Sequence, residues 1–136
     1  MTDALFNAQQ AVFDALAAST EVQALLGYPA RIYDHVPPGA VFPYAAFGPL
    51  HVEPYDDKFT AGFEQILSLN IWSRYRGGKE AKDIVQSFYD VLHRANLSVS
   101  GEVLLACEFH GADLATDNDG LTYRAVARFS IITQSS

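Results

Sequence analysis

Apolar residues first recur at helical spacing and later alternate. Over residues 3–18, Leu5, Ala8, Val12, Ala15 and Leu16 share one side of a 3.6-residue period, which predicts an amphipathic helix whose first-turn amides Asp3 can cap. Ser19-Thr20 interrupts it. Thr20 with Gln23 forms a capping-box pattern for a short second helix carrying Val22, Leu25 and Leu26, which stops at Gly27 before Pro29. Residues 31–34 read as a short strand, and Val36-Pro37-Pro38-Gly39-Ala40 as irregular chain, because two prolines remove donors and Gly39 permits a turn. Residues 44–48 read as a second strand that resumes from Leu50 to Glu53. Pro49 and Pro54 limit its pairing and place it bent or near an edge.

Alternation is clearest over residues 63–73. Phe63, Gln65, Leu67, Leu69 and Ile71 share one face, expected to lie on the helices; Glu64, Ile66, Ser68, Asn70 and Trp72 share the other. That second face is partly polar, and Trp72 at its end needs cover from a neighbouring chain or a loop. Residues 79–95 then carry a broad apolar stripe of Ala81, Ile84, Val85, Phe88, Val91, Leu92 and Ala95, the signature of a packed helix. Residues 103–109 and 121–133 are strand-like, and Asp117-Asn118-Asp119-Gly120 between them is a strong turn signal, so they are expected to pair antiparallel. The order α-α-β-β-β-α-β-β, with no internal repeat and no linker, predicts one α+β domain over residues 1–136: a mostly antiparallel sheet flanked by helices.

Charge sharpens this picture. The 136 residues carry a formal net charge of −7, which disfavours a general duplex-DNA binder. Four of the nine basic residues, Arg74, Arg76, Lys79 and Lys82, nevertheless fall within nine positions. Carboxylates gather at Glu53, Asp56, Asp57 and Glu64, and again at Asp113, Asp117 and Asp119. Opposite patches on one chain can steer copies of it, or a partner, into register. The polar segment from Pro54 to Gly62 is longer than a tight hairpin needs, which makes it a contact candidate. Tyr33, Phe42, Tyr44, Tyr55, Phe59, Trp72 and Tyr75 fall around loops and strand ends, where aromatic side chains anchor protein contacts. The candidate interface is therefore Glu53, Tyr55, Asp56, Asp57, Lys58, Phe59, Trp72, Arg74, Tyr75 and Arg76.

Chemistry is less well supplied. Cys107 is the single cysteine, which allows no internal disulfide and fits a reducing compartment; it sits in an apolar strand, where a thiol is a packing group rather than a nucleophile. No serine occupies a Gly-x-Ser-x-Gly elbow. Gly77-Gly78-Lys79 lacks the spacing of a phosphate-binding P-loop and the hydroxyl after its lysine. The Asp117–Gly120 turn lacks the glutamate of a calcium loop, Val126 standing in that place. Asp56-Asp57 is an exposed pair rather than two converging carboxyls. The remaining rival to an assembly role is a small metal- or ligand-binding domain, or an enzyme, using His51, Glu53, His110 and Asp113. No apolar run opens the chain as a secretory signal, and none approaches the ~20 residues that cross a bilayer, so a soluble protein working away from membranes is expected.

In this order the elements resemble the small tail-completion, or tail-terminator, proteins of long-tailed phages and phage-derived particles such as gene transfer agents. The resemblance is carried by the opening helix followed by Val22-Gln23-Ala24-Leu25-Leu26-Gly27 and Arg31-Ile32-Tyr33, and by Phe42-Pro43-Tyr44-Ala45-Ala46-Phe47-Gly48. It continues through Leu69-Asn70-Ile71-Trp72-Ser73, leading by Gly77-Gly78 to the helix at Ala81–Leu92, and the Asp-rich turn before Tyr123-Arg124-Ala125-Val126-Ala127-Arg128-Phe129-Ser130-Ile131. It implies a non-enzymatic protomer without cofactor or metal. Such a protomer forms a ring with itself, typically a hexamer, on the last ring of the tail tube. The ring stops tube growth and meets a head-completion or neck protein. DNA passes its channel without sequence-specific binding. The resemblance also implies assembly in the host cytoplasm and a final place at the head–tail junction. Another connector at the same junction, such as a head-closure or tail-tube protein, is the nearest alternative.

Overall fold

The computed structural model describes residues 3–135. Two helices open the chain, α1 (Ala4–Ala18) and α2 (Thr20–Leu26). Asp3 caps α1 through the Phe6 amide, and Ala4, Ala8, Ala11, Val12 and Leu16 are buried at the expected spacing, with Leu5 and Ala15 on the margins of that stripe. The cap of α2 is Ser19 rather than Thr20. Ser19 is extended, and its hydroxyl accepts from the Val22 amide at 3.3 Å. Gln23 therefore closes no capping box; its side-chain amide donates to the Ala17 carbonyl at 2.8 Å and ties the two helices together. Gly27 ends α2 at φ +87, a conformation that a residue with a Cβ rarely adopts.

The strands β1 (Ile32–Tyr33), β2 (Tyr44–Pro54), β3 (Gly62–Ser73), β4 (Glu102–Thr116) and β5 (Tyr123–Ser135) form one sheet in the order β1-β2-β3-β5-β4, with α3 (Lys79–Leu92) between β3 and β4. Only β1 and β2 pair parallel; the other three pairings are antiparallel. The chain is therefore an α+β fold with the expected element order. Pro49 sits in a register irregularity between Phe47 and Leu50, which lets β2 continue past a residue that cannot donate to the ladder. The central strand β3 runs unbroken against β5 for its whole length.

Two elements differ from the sequence pattern. Helix α3 stops at Leu92, not at residue 95, because His93 turns extended and Arg94 takes φ +59. These residues close the outer edge of β4 instead: the Arg94 amide donates to the Cys107 carbonyl at 2.7 Å, and the Phe109 amide donates to His93 Nδ1 at 3.0 Å. Strand β4 is also longer than residues 103–109. Register irregularities between Leu104 and Ala106 and between Phe109 and Gly111 switch its side chains from face to face, which hides the alternation that would have marked it.

The core lies between the helices and one face of the sheet. Phe88, Leu92 and Ile84 of α3, Leu16 of α1 and Leu26 of α2 are fully buried with Leu69 and Ile71 of β3 and Phe129 and Ile131 of β5. Removing a ring such as Phe88 costs about 3–5 kcal/mol, a large share of the ~5–15 kcal/mol that holds a domain folded. The opposite sheet face, with Glu64, Ile66, Asn70, Trp72, Arg124, Val126 and Arg128, carries no helix and is where polar and charged side chains concentrate. Among the described residues no helix is long and apolar enough to cross a membrane.

Candidate functional site

Strand β3 separates the two charged segments. Its twelve residues, at roughly 3.3 Å each, hold the β2–β3 loop about 36 Å from the turn that follows β3. The acidic β2–β3 loop and the basic segment after β3 thus lie at opposite ends of one sheet and cannot meet within a single chain; the second acidic cluster lies at the basic end, where Asp119 reaches Arg74.

The loop between β2 and β3 is built by its carboxylates. Asp57 Oδ1 accepts from the Phe59 and Thr60 amides at 2.8 and 2.7 Å, and Asp56 Oδ1 accepts from the Gly62 amide at 3.0 Å. The Phe59 and Thr60 amides hold the Asp57 carboxyl below its ordinary pKa, with smaller help from Gln134. Backbone bonds from Tyr55 to Gly62 and from Asp57 to Thr60 close the loop. What the sequence offers as solvated polarity is therefore a fixed turn. It displays Phe59, 92% exposed, with Tyr55 and Lys58 also open to solvent. Glu53 stands just before it, 3.3 Å from His51 on the same exposed face.

At the other end, Trp72 finds its cover within its own chain. It stacks on Tyr44 at 5.0 Å, Tyr44 contacts Tyr33 and Phe42, and the Arg124 guanidinium lies 5.9 Å from the Trp72 ring. Of the cover expected from a neighbouring chain or a loop, part thus comes from Tyr44 of β2 and Arg124 of β5 in the same chain. Arg74 is also engaged internally: its Nε donates to Thr122 Oγ1 at 3.2 Å, its guanidinium lies 4.3 Å from the Phe42 ring centroid, and Asp119 is 4.0 Å away. Asp119 in turn accepts from the Thr122 hydroxyl and from the Thr122 and Leu121 amides, which hold its carboxyl below the usual range. Arg76 and Tyr75 remain exposed, and no ion pair within 4.0 Å holds Arg76 among the described residues. Together with Arg74, Gly77, Gly120, Leu121 and Tyr123 they line a cleft of about 320 Å³. Leu121 and Tyr123 are the residues that sequence reasoning missed here. Their signal was the polar turn just before them, which brings the start of β5 alongside the end of β3.

The rival constellation does not come together. His51 and Glu53 lie on β2, whereas His110 and Asp113 lie on β4, with β3 and β5 between. Asp113 is taken up by Arg128 at 2.6 Å. Among the described residues no group of three or more histidines, cysteines, aspartates or glutamates could hold a metal ion. Cys107 is 2% exposed, and burial, with a smaller contribution from Glu108, pushes its thiol up to about 11, far from a thiolate at neutral pH.

The site thus belongs to a small α+β domain, a five-stranded sheet with helices packed on one face, which displays aromatic and charged groups at the two ends of its central strand. The family described as tail completion protein gp17 matches residues 10–134, and the chain belongs to that family. Its role is accordingly that of a structural tail-completion protein. It is similar to a chain in a solved structure titled "Virion of native gene transfer agent (GTA) particle". The two are 26% identical and superpose with a TM-score of 0.89, over 99% of this chain and 100% of the other. No curated protein sequence matches it.

Proposed function

We propose that this protein is a component of a phage or phage-like particle that forms a ring with copies of itself, ends the growth of the tail tube and joins the tail to the head. The full-length match to a chain of a gene transfer agent virion carries the reading, because it leaves no part of either fold unaccounted for. The ring is hexameric, assembles in the host cytoplasm, and sits between the last ring of tube protein and a head-completion or neck protein. DNA crosses its channel unread, and the net charge of −7 keeps phosphate from adhering non-specifically.

A closed ring needs a heterologous interface, in which one surface meets a different one on the next copy. The acidic segment from Glu53 to Glu64 and the basic segment from Arg74 to Lys82 supply two such surfaces toward opposite ends of β3. Because Arg74 already serves Thr122 and Phe42, Arg76→Glu is the cleaner probe of assembly. The substitution is expected to lower the oligomer mass measured by light scattering, and raising salt should do the same to the unsubstituted chain. An unchanged mass in both experiments would reject the paired-patch interface.

A further inference from the structure

Resting on that ring reading, the geometry points to a particular joint: Phe59 of one copy seats in the cleft formed by Arg74, Tyr75, Arg76, Leu121 and Tyr123 of the next. The loop tip is an unusual place for a fully displayed phenyl ring. Phe59 is 92% exposed, yet its backbone is held by two short bonds to Asp57 and by the Tyr55–Gly62 closure. A side chain presented by a fixed turn gives up little further freedom when it docks, so the ordering cost of binding is low. Aromatic anchors in desolvated pockets are also the side chains that carry most of an interface's energy.

The cleft matches this knob in three respects. Its volume of about 320 Å³ exceeds the about 150 Å³ that suffices for a benzene ring. Its walls include Leu121, 68% exposed, and Tyr75, 62% exposed, which lose apolar surface to water when a ring enters. Its rim carries the Arg76 guanidinium, able to lie over a phenyl face and to meet the carboxylates of Asp56 and Asp57 that flank the knob. Charge complementarity therefore selects a second copy of this chain as the occupant. The loop of a like copy brings two carboxylates and one ammonium, whereas the cleft brings two guanidinium groups, of which, among the described residues, only Arg74 has an acidic neighbour within 4.0 Å. Knob and cleft lie at opposite ends of β3, so the contact is head-to-tail, as a ring requires.

The test is a cysteine pair at two exposed positions that keeps the knob, Lys58→Cys with Leu121→Cys in one chain, oxidised mildly at high protein concentration. The buried Cys107 takes no part. A head-to-tail joint gives a ladder of covalent trimers and larger species, while either single variant stops at a dimer. In parallel, Phe59→Ser is expected to raise the concentration needed for assembly at least tenfold without changing the circular dichroism of the subunit. If the unsubstituted chain assembles by light scattering but the pair gives no ladder, the joint is elsewhere and this inference falls while the ring stands. If neither a ladder nor any assembly is seen, alone or with tube subunits, both fall. If Phe59→Ser leaves the ring mass unchanged but abolishes capture of tube subunits, the knob belongs to the tube contact and the inference is overturned.

Discussion

Gln65 is the most demanding residue in the core. It sits on β3 between Phe63 and Leu67, faces the helices and is 0% exposed, yet neither atom of its amide has a hydrogen-bond partner among the described residues. The hydroxyl of Thr133 on neighbouring β5 is in the same position. An unpartnered buried amide or hydroxyl costs about 1–3 kcal/mol, because water satisfied it in the unfolded chain. Replacing Gln65 by Met keeps the length and unbranched shape of the side chain and removes both polar atoms. Stability should rise by about 1–3 kcal/mol, and by ~1 kcal/mol for Thr133→Val, which preserves the branched shape that suits a strand. The two sites lie on adjacent strands and on one face, two register pairs apart, Gln65 opposite Ile131 and Phe63 opposite Thr133, so the double variant should gain less than the sum. Urea unfolding measures this directly: the midpoint should move up with an unchanged slope. Thermal unfolding should shift by roughly 3–5 °C per kcal/mol in a domain of this size. A loss of more than about 1 kcal/mol for Gln65→Met would mean that the amide is satisfied in solution, and would refute the reasoning.

Three further outcomes follow from the loops and the cysteine. A Cβ on Gly62 would lie 2.5 Å from the Tyr55 carbonyl oxygen and 2.6 Å from that of Thr133, and backbone cannot yield as a side chain can, so Gly62→Ala should destabilise by about 2–3 kcal/mol in urea unfolding. Asp57 and Asp119 have folded pKa values below the ordinary 3.8, so their stabilisation is complete above that value and is lost as pH falls through the lower folded ones. Acid titration should show stability declining below about pH 4, with a shallower decline in Asp119→Asn; a titration of Asp119 by NMR at or above 3.8 would contradict the turn's role. Cys107, with its thiol near 11, is only about one part in a thousand thiolate at pH 8, so a thiol reagent should label it at the rate of unfolding, and rapid labelling of the folded chain would count against its burial.

The sequence made the fold legible where the apolar period was unbroken. The alternation of β3 and the stripe of α3 placed both elements, and Leu67, Leu69, Ile71, Ala81, Ile84, Phe88 and Leu92 are buried as the pattern named them, although Ser68, Asn70 and Ser87 are buried as well. It failed where backbone chemistry overrides periodicity. In β4 two register irregularities interrupt the alternation, and at the start of α2 the residue that turns extended decides which hydroxyl caps the helix. The candidate site was half legible. Charge clustering and loop length marked both ends of β3, but they could not show that Asp56 and Asp57 spend their oxygens on the loop's own amides, nor that Arg74 and Trp72 are satisfied within the chain. Leu121 and Tyr123 escaped because the polar turn before them marks only where β5 begins, whereas their place beside Arg76 comes from the pairing of Tyr123 with Ser73 at the end of β3.

Electron microscopy of the purified protein, alone and mixed with tail-tube subunits, addresses the central claim most directly. Closed rings with an open channel, seated on the ends of tubes that then stop lengthening, are the predicted result. Subunits that stay single in both preparations, with tubes growing on past them unchecked, would contradict it.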